Sequence, residues 1–362
     1  MKPGSPTNEY VSLSLPRVIR PVEPSGDALT SPLQSHAWPS IREHIAAEWR
    51  AILNADEFIE RSHPRPVTFR WEPPAGEPDH ARYDLIISRY PDFQEPLILA
   101  GLDSTHAEAK NLMVGTRYYW KVIQHREGAP AAESPVASFV THPAPPRWIR
   151  VPGIPNVRDL GGWKVGDHHR VRQGLMYRSA ELNTHTVLLP EGERVLVEEL
   201  NIRTDLDLRG TAEDESPAPA LNPSRVNWAP CPLYAYRDIF TPEGKESIRR
   251  AFQVLADPDR YPVLIHCWAG ADRTGTLAFL VNGMLGVSLP DLIHDYELTS
   301  LSRIGLRLDK GFGLDDILEG LKAYGGDGAP LQQRIEAYLH EAGVPHEALE
   351  GMRLRLIEPF EV

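Results

Sequence analysis

Cysteine is scarce in this chain. Cys231 and Cys267 are the only two in 362 residues, which excludes a disulfide scaffold and leaves each thiol to be judged singly. A basic surplus is also missing. Lys and Arg number 38 against 50 Asp and Glu, a formal charge of −12, so a broad electrostatic grip on nucleic acid or anionic lipid is excluded and any phosphate must be met at a local site. No stretch approaches the roughly 20 apolar residues of a membrane span. Met1-Lys2-Pro3-Gly4-Ser5-Pro6 leads into no apolar run of the kind a secretory signal needs. These absences make a soluble, cytoplasmic protein the expectation, with non-classical export left open.

What is present is ordinary globular composition, 41% apolar and 24% charged, over a length that suits two domains of roughly 150 residues and an extra segment. Proline is abundant at 34 residues, and its missing N–H confines most of it to linkers, edges and turns. Residues 1–65 read as a Pro-rich extension with an alternating stretch at Val11-Ser12-Leu13-Ser14-Leu15 and one helix. Ser40 as N-cap and Glu43 precede Ile45, Trp49 and Ile52, which with Ile41 recur at helical spacing. From 66 to 146 the period becomes two. Val67, Phe69 and Trp71 alternate, as do Tyr83, Leu85 and Ile87, and Tyr118, Trp120 and Val122, the signature of half-buried strands in an all-β sandwich. With Trp71, Tyr83 and the run Asn111 to Val122, the stretch resembles a fibronectin type III domain.

The Pro-dense segment Thr141-His142-Pro143-Ala144-Pro145-Pro146 predicts a boundary near 146. Beyond it, from 147 to 362, strand-like Ile202 to Leu208 and Val263-Leu264-Ile265 alternate with helical patterns. That alternation predicts an α/β domain with a central mixed sheet flanked by helices. Leu277, Leu280, Val281, Met284 and Leu285 follow Val263-Leu264-Ile265-His266-Cys267 at helical spacing, so Cys267 is expected at the carboxyl edge of a sheet, facing a helix N-terminus. Unpaired N–H groups and the helix dipole there bind phosphate and favour a thiolate. Five residues separate Cys267 from Arg273. The amides of Trp268, Ala269, Gly270, Ala271, Asp272 and Arg273 can wrap around phosphoryl oxygens while the guanidinium closes the ring. Thr274 can donate to the sulfur and improve it as a leaving group.

This pattern, His266-Cys267-x-x-Gly270-x-Asp272-Arg273-Thr274-Gly275, resembles the protein-tyrosine-phosphatase superfamily with its Cys-x5-Arg signature, and in particular its atypical bacterial tyrosine/serine and lipid phosphatase branch. Asn156 to Gly162, Met176 to Ala180, Asp207-Leu208-Arg209 with Glu213, and Asp295-Tyr296-Glu297-Leu298 stand in that branch's order. The resemblance implies a metal-independent, cofactor-free phosphatase acting through a phosphocysteine on a phosphorylated protein or peptide. A phosphoinositide is the alternative substrate, and a non-catalytic phosphoprotein-binding scaffold the alternative function. Relatives often carry lysine where this chain has Ala271, which tilts the expectation toward phosphoprotein.

Three aspartates compete for the general acid. Asp272 lies in the loop, Asp238 lies 29 residues before Cys267 (267 − 238) in a turn-rich stretch, and Asp207 ends a strand. Trp268 either packs against a neighbouring element or lines the pocket wall. Arg158 and Asp159 read as an ion pair supporting the loop. His168-His169 read as solvated turn residues, with no metal expected, and Cys231 as a buried bystander.

Overall fold

The computed structural model describes residues 19–24, 26–30, 60–74, 81–126, 129–212, 217–308 and 310–360. The alternating stretch at 11–15, the helix expected from Ile41 and Glu213 lie outside these residues. The described residues fall into two compact units. One draws on Met1–Leu29, Val67–Ala109 and Arg117–Val140, the other on Thr30–Pro66, Lys110–Thr116 and Thr141–Val362.

Among the described residues the first unit is built of strands. Strands β1 (Arg20–Glu23), β3 (Val67–Glu72) and β6 (His106–Ala109) form one sheet. The other runs in the order β2 (Gly26–Thr30), β9 (Ala137–Thr141), β7 (Arg117–Arg126), β4 (Arg82–Ser88), β5 (Leu97–Leu102), with β8 (Ala129–Glu133) also on β7. Period two in the sequence becomes one buried face in the fold, because successive side chains leave opposite sides of a strand. Val67, Phe69 and Trp71 are buried along β3, Tyr83, Leu85 and Ile87 along β4, and Tyr118, Trp120 and Val122 along β7. Phe69 on one sheet meets Trp120 and Phe139 on the other edge-on, at centroid distances of 5.3 and 5.6 Å. Burying each such ring is worth roughly 1.5–3 kcal/mol, and these rings tie the two sheets into a sandwich.

The second unit holds the sheet β10 (Arg158–Asp159), β13 (Met176–Ser179), β16 (Val263–His266), β14 (Thr204–Asp207), β15 (Asn227–Pro230), in that spatial order. β16 is central and parallel to both neighbours, β10 is antiparallel at one edge, and the sheet is therefore mixed. A small second sheet joins β11 (Lys164–Val165), β12 (His169–Val171) and β17 (Ile357–Pro359). The exposed His168 and His169 sit at the β11–β12 hairpin.

β16 is buried on both faces, as its unbroken apolar run requires. Val263 and Ile265 join a core with Ile248, Phe252 and Leu255 of an amphipathic helix and with Leu277, Val281 and Met284 of the helix that follows the strand. Leu264 points the other way, into a cluster with Ile149, Val151, Leu196 and Ile202. The helices are α1 (Pro190–Arg194), α2 (Pro242–Ala256), α3 (Asp272–Leu285), α4 (Leu289–Glu297), α5 (Leu314–Leu321), α6 (Leu331–Glu341) and α7 (His346–Leu356). Strand β16, the loop 267–271 and α3 thus set Cys267 at the carboxyl end of the central strand, where open α/β sheets form their binding crevices.

Candidate active site

The loop between β16 and α3 is shaped by what holds its carbonyls. Asn156 Nδ2 donates to the carbonyls of Ala269 and Gly270, each at 3.2 Å, and Arg178 Nη2 donates to Gly270 O at 2.7 Å. A carbonyl fixed from outside turns the N–H groups of its loop toward the opposite side, the requirement for an anion cradle. Gly270 adopts φ +65°, and a Cβ there would lie 2.1 Å from Ser179 O, so only glycine fits. At the start of α3, Ala271 stands as N-cap without any side-chain capping bond. The first-turn N–H groups of α3 therefore have no side-chain cap competing with an anion.

The holders are themselves held. Asp295, on α4, accepts from Arg158 Nε at 2.9 Å and from Arg178 Nη1 at 2.6 Å. Arg158 also donates to Asn156 Oδ1, and its guanidinium lies 5.2 Å from the Trp148 ring. Burial raises the Asp295 pKa, but Arg158 and Arg178 outweigh it and keep the carboxyl below its ordinary range. The ion pair expected between Arg158 and Asp159 is not formed. Asp159 instead meets Arg147 at 3.3 Å and accepts the N–H groups of Gly161 and Gly174. Neighbouring strand residues point to opposite faces, so Arg158 and Asp159 cannot share one partner shell.

Cys267 is buried, and its carbonyl lies 3.3 Å from Nδ1 of His266. His266 Nε2 lies 2.8 Å from Asp205 Oδ1, and Asp207 is 3.9 Å from its Nδ1. Burial lowers the His266 pKa, but the two aspartates overcome it and push it up to about 9. An imidazolium therefore precedes the nucleophile candidate. Thr274 is fully buried, and its Oγ1 has no hydrogen-bond partner among the described residues. Arg273 Nη1 donates to Thr211 Oγ1 at 3.2 Å. Trp268 is 44% exposed, donates through Nε1 to His185 Nδ1 and meets that ring edge-on at 5.2 Å. It packs against a neighbouring side chain and leaves part of its ring exposed.

The three aspartates separate clearly. Asp207 is locked by a fork from Arg209, Nη2 to Oδ2 at 2.7 Å and Nε to Oδ1 at 2.9 Å. Burial raises its pKa, and Arg209 with His266 more than reverse this. Asp238 is exposed and lines a cavity of about 510 Å³ with Thr241, Asp316, Glu319 and Tyr324; no residue of the 267–273 loop lines that cavity. Asp272 is the first residue of α3, directly after the loop, with its side chain partly exposed, and both of its oxygens are engaged by Arg307, Nε to Oδ1 at 2.8 Å and Nη2 to Oδ2 at 3.0 Å. Tyr236 OH also donates to Oδ1. Burial raises the Asp272 pKa, but Arg307, Tyr236 and Arg273 together bring it below the ordinary value. Cys231 is buried elsewhere, with burial pushing its thiol up to about 11.

Arg307 and Tyr236 were not distinguishable as site residues in the sequence. Neither lies in a motif, and Tyr236 stands 36 residues from Asp272 (272 − 236). The positive φ of Tyr236 at +55° and its ring against Gly313, where a Cβ would come within 2.3 Å, are visible only in the fold.

Residues 149–312 match the family model described as "Tyrosine phosphatase family". A Cupriavidus necator protein named as a tyrosine-protein phosphatase is 31% identical over 167 residues, 40% of this chain and 59% of that protein. A Nostoc commune tyrosine-protein phosphatase is 24% identical over 208 residues, 46% of this chain and 70% of that protein. Among solved structures, the core catalytic domain of the PP-IP phosphatase SIW14 from S. cerevisiae aligns at 22% identity and a TM-score of 0.29, covering 39% of this chain and 76% of that one. The chain thus spans less than two thirds of the Cupriavidus relative. The segment 149–312, which carries the cysteine loop and its supports, is the part of this chain that is similar to the tyrosine phosphatase family.

Proposed function

We propose that this protein hydrolyses phosphate monoesters through a phosphocysteine. The observation that carries the reading is the loop itself: Cys267 at the end of the central strand, Gly270 at a φ that only glycine adopts freely, carbonyls held by Asn156 and Arg178, and an uncapped helix start at Asp272. In this reading the Cys267 sulfur attacks phosphorus, and the P–O bond to the leaving group breaks. The amides of residues 268–273 and the Arg273 guanidinium bind the phosphoryl oxygens. Asp272 gives its proton to the leaving oxygen, then accepts one from the water that cleaves the P–S bond and restores the sulfur anion.

Asp272 takes this role over Asp238 and Asp207 because it alone of the three both adjoins the loop, as the first residue of α3, and is partly open. The charge of a bound phosphate ester opposes that of Arg307 and favours the protonated carboxyl. Thr274 Oγ1, buried and unpartnered among the described residues, is suited to donate to the sulfur as the P–S bond breaks. Phosphorylated protein or peptide is the substrate class, since buried, uncharged Ala271 gives the pocket no second cation at that position for a multiply charged headgroup. For the other unit we infer a fibronectin type III-like sandwich, supported by its two sheets and the Phe69, Trp120 and Phe139 core.

Replacing Cys267→Ser should lower turnover of p-nitrophenyl phosphate by at least about a thousandfold with an unchanged circular-dichroism spectrum, while the wild-type rate survives EDTA. Retained activity in the serine variant refutes the assignment.

A further inference from the structure

Asp272 sits at one end of a line of hydroxyl groups. Tyr236 OH contacts its Oδ1, Tyr296 OH lies 2.6 Å from Tyr236 OH, and Phe312 O lies 3.0 Å from Tyr296 OH. Three elements supply these groups: the turn Tyr236–Phe240 before α2, the helix α4, and the segment between α4 and α5 that also carries Arg307. Each hydroxyl has one hydrogen to give, and counting them yields two complete arrangements. With Asp272 ionised, Tyr236 donates to Oδ1 and Tyr296 donates to Tyr236. With Asp272 protonated on Oδ1, every hydrogen turns round: Asp272 donates to Tyr236, Tyr236 to Tyr296, and Tyr296 to the Phe312 carbonyl, while Oδ2 keeps its bond from Arg307.

We propose that Tyr236, with Tyr296 behind it and Arg307 on the same carboxyl, is a positioning residue that holds Asp272 in one place in both of its protonation states. The proposal rests on the reading of Asp272 as the proton donor. A carboxyl that gives up and regains a proton in each turnover needs partners for both forms, and this chain supplies them without moving a heavy atom. For the transfer the Oδ1 hydrogen turns from Tyr236 to the leaving oxygen, and as it departs Tyr236 turns its own hydrogen back onto Oδ1. Tyr236 stays un-ionised throughout, because burial, then the charge of Asp272, holds its phenol far above neutral pH. The charged or titratable groups that face Asp272 are Arg307, Tyr236 and Tyr296 from the packed elements and Arg273 from its own helix. Arg307 is anchored in turn, its backbone N–H accepted by Ser300 Oγ at 2.8 Å.

The test uses the full chain and the pH dependence of kcat/KM for phenyl phosphate, a poor leaving group, and p-nitrophenyl phosphate, a good one. Tyr236→Phe should lower the phenyl to nitrophenyl ratio by about tenfold, in the range of general acid catalysis, and move the basic limb of the profile to higher pH, because the ionised carboxyl loses a donor. Tyr296→Phe should do the same to a smaller extent, and serves as the readout if Tyr236→Phe does not fold. Arg307→Gln should move the limb further, and Arg307→Lys should return part of that movement. An equal loss on both substrates with an unmoved limb overturns the proposal, as does an unchanged ratio in Asp272→Asn. Failure of the wild-type protein to hydrolyse either ester overturns the phosphatase reading itself.

Discussion

The sandwich and the α/β unit bury different chemistry. In the sandwich the two sheets are joined by rings, Phe69 against Trp120 and Phe139, and Trp71 against Tyr83. Around the cysteine loop the buried side chains are Arg158, Arg178, Asp295, Asn156, Asp205, Asp207 and His266. Apolar packing is non-directional and sets distance. Hydrogen bonds from buried guanidinium groups set orientation, at a desolvation cost repaid only when every partner is present. A loop whose amides must all point one way needs the second kind of support.

The largest effect expected from this contrast is on rate. Gly270→Ala forces a Cβ against Ser179 O and strains a left-handed φ, so p-nitrophenyl phosphate turnover should fall by about a hundredfold or more, the cost of misplacing reacting groups by an ångström. A near-wild-type rate would mean that the loop needs no such precision. Next comes Asp295→Asn, which leaves Arg158 and Arg178 without their shared counter-charge. It should cost about 3–5 kcal/mol of stability and reduce activity per folded molecule. Phe69→Ala in the sandwich should cost a similar 3–5 kcal/mol yet leave turnover of the small ester per folded molecule unchanged. Urea unfolding followed by tryptophan fluorescence, beside steady-state rates, separates the two; equal effects on activity would erase the contrast.

The smallest effect is pH-linked. The pKa of His266 is raised in the fold to about 9 from 6.5, so its contribution to stability is complete below about pH 6.5 and is lost as pH rises through 9. That loss should amount to roughly 1–3 kcal/mol. His266→Asn should flatten the stability profile between pH 7 and 10, and a wild-type profile already flat there would argue against a charged His266.

Local pattern made much of this legible in advance. Period two named the buried faces of β3, β4 and β7, and the apolar run before Cys267 named a strand covered on both sides. Less legible were the pairings. Arg158 meets Asp295, 137 residues away, and Arg307 meets Asp272, 35 away. Charge in a sequence reads as solvated surface until a fold supplies the opposite charge, and no period encodes a partner so distant. The segment Lys110–Thr116 is similar. It precedes a strand pattern and reads as part of the sandwich, yet it groups with the α/β unit, where Asn111 Oδ1 accepts the N–H of Arg150 at 2.7 Å and Gln173 takes up both backbone polar groups of Val114.

Everything proposed for the chemistry turns on a covalent bond between phosphorus and the Cys267 sulfur. Rapid acid quench of the enzyme during turnover of p-nitrophenyl phosphate, followed by peptide mass spectrometry, tests for it directly. The expected result is a phosphoryl group on the peptide containing Cys267, absent in Cys267→Ser. Steady turnover with no phosphorylated peptide, or with the group on another residue, would contradict the account.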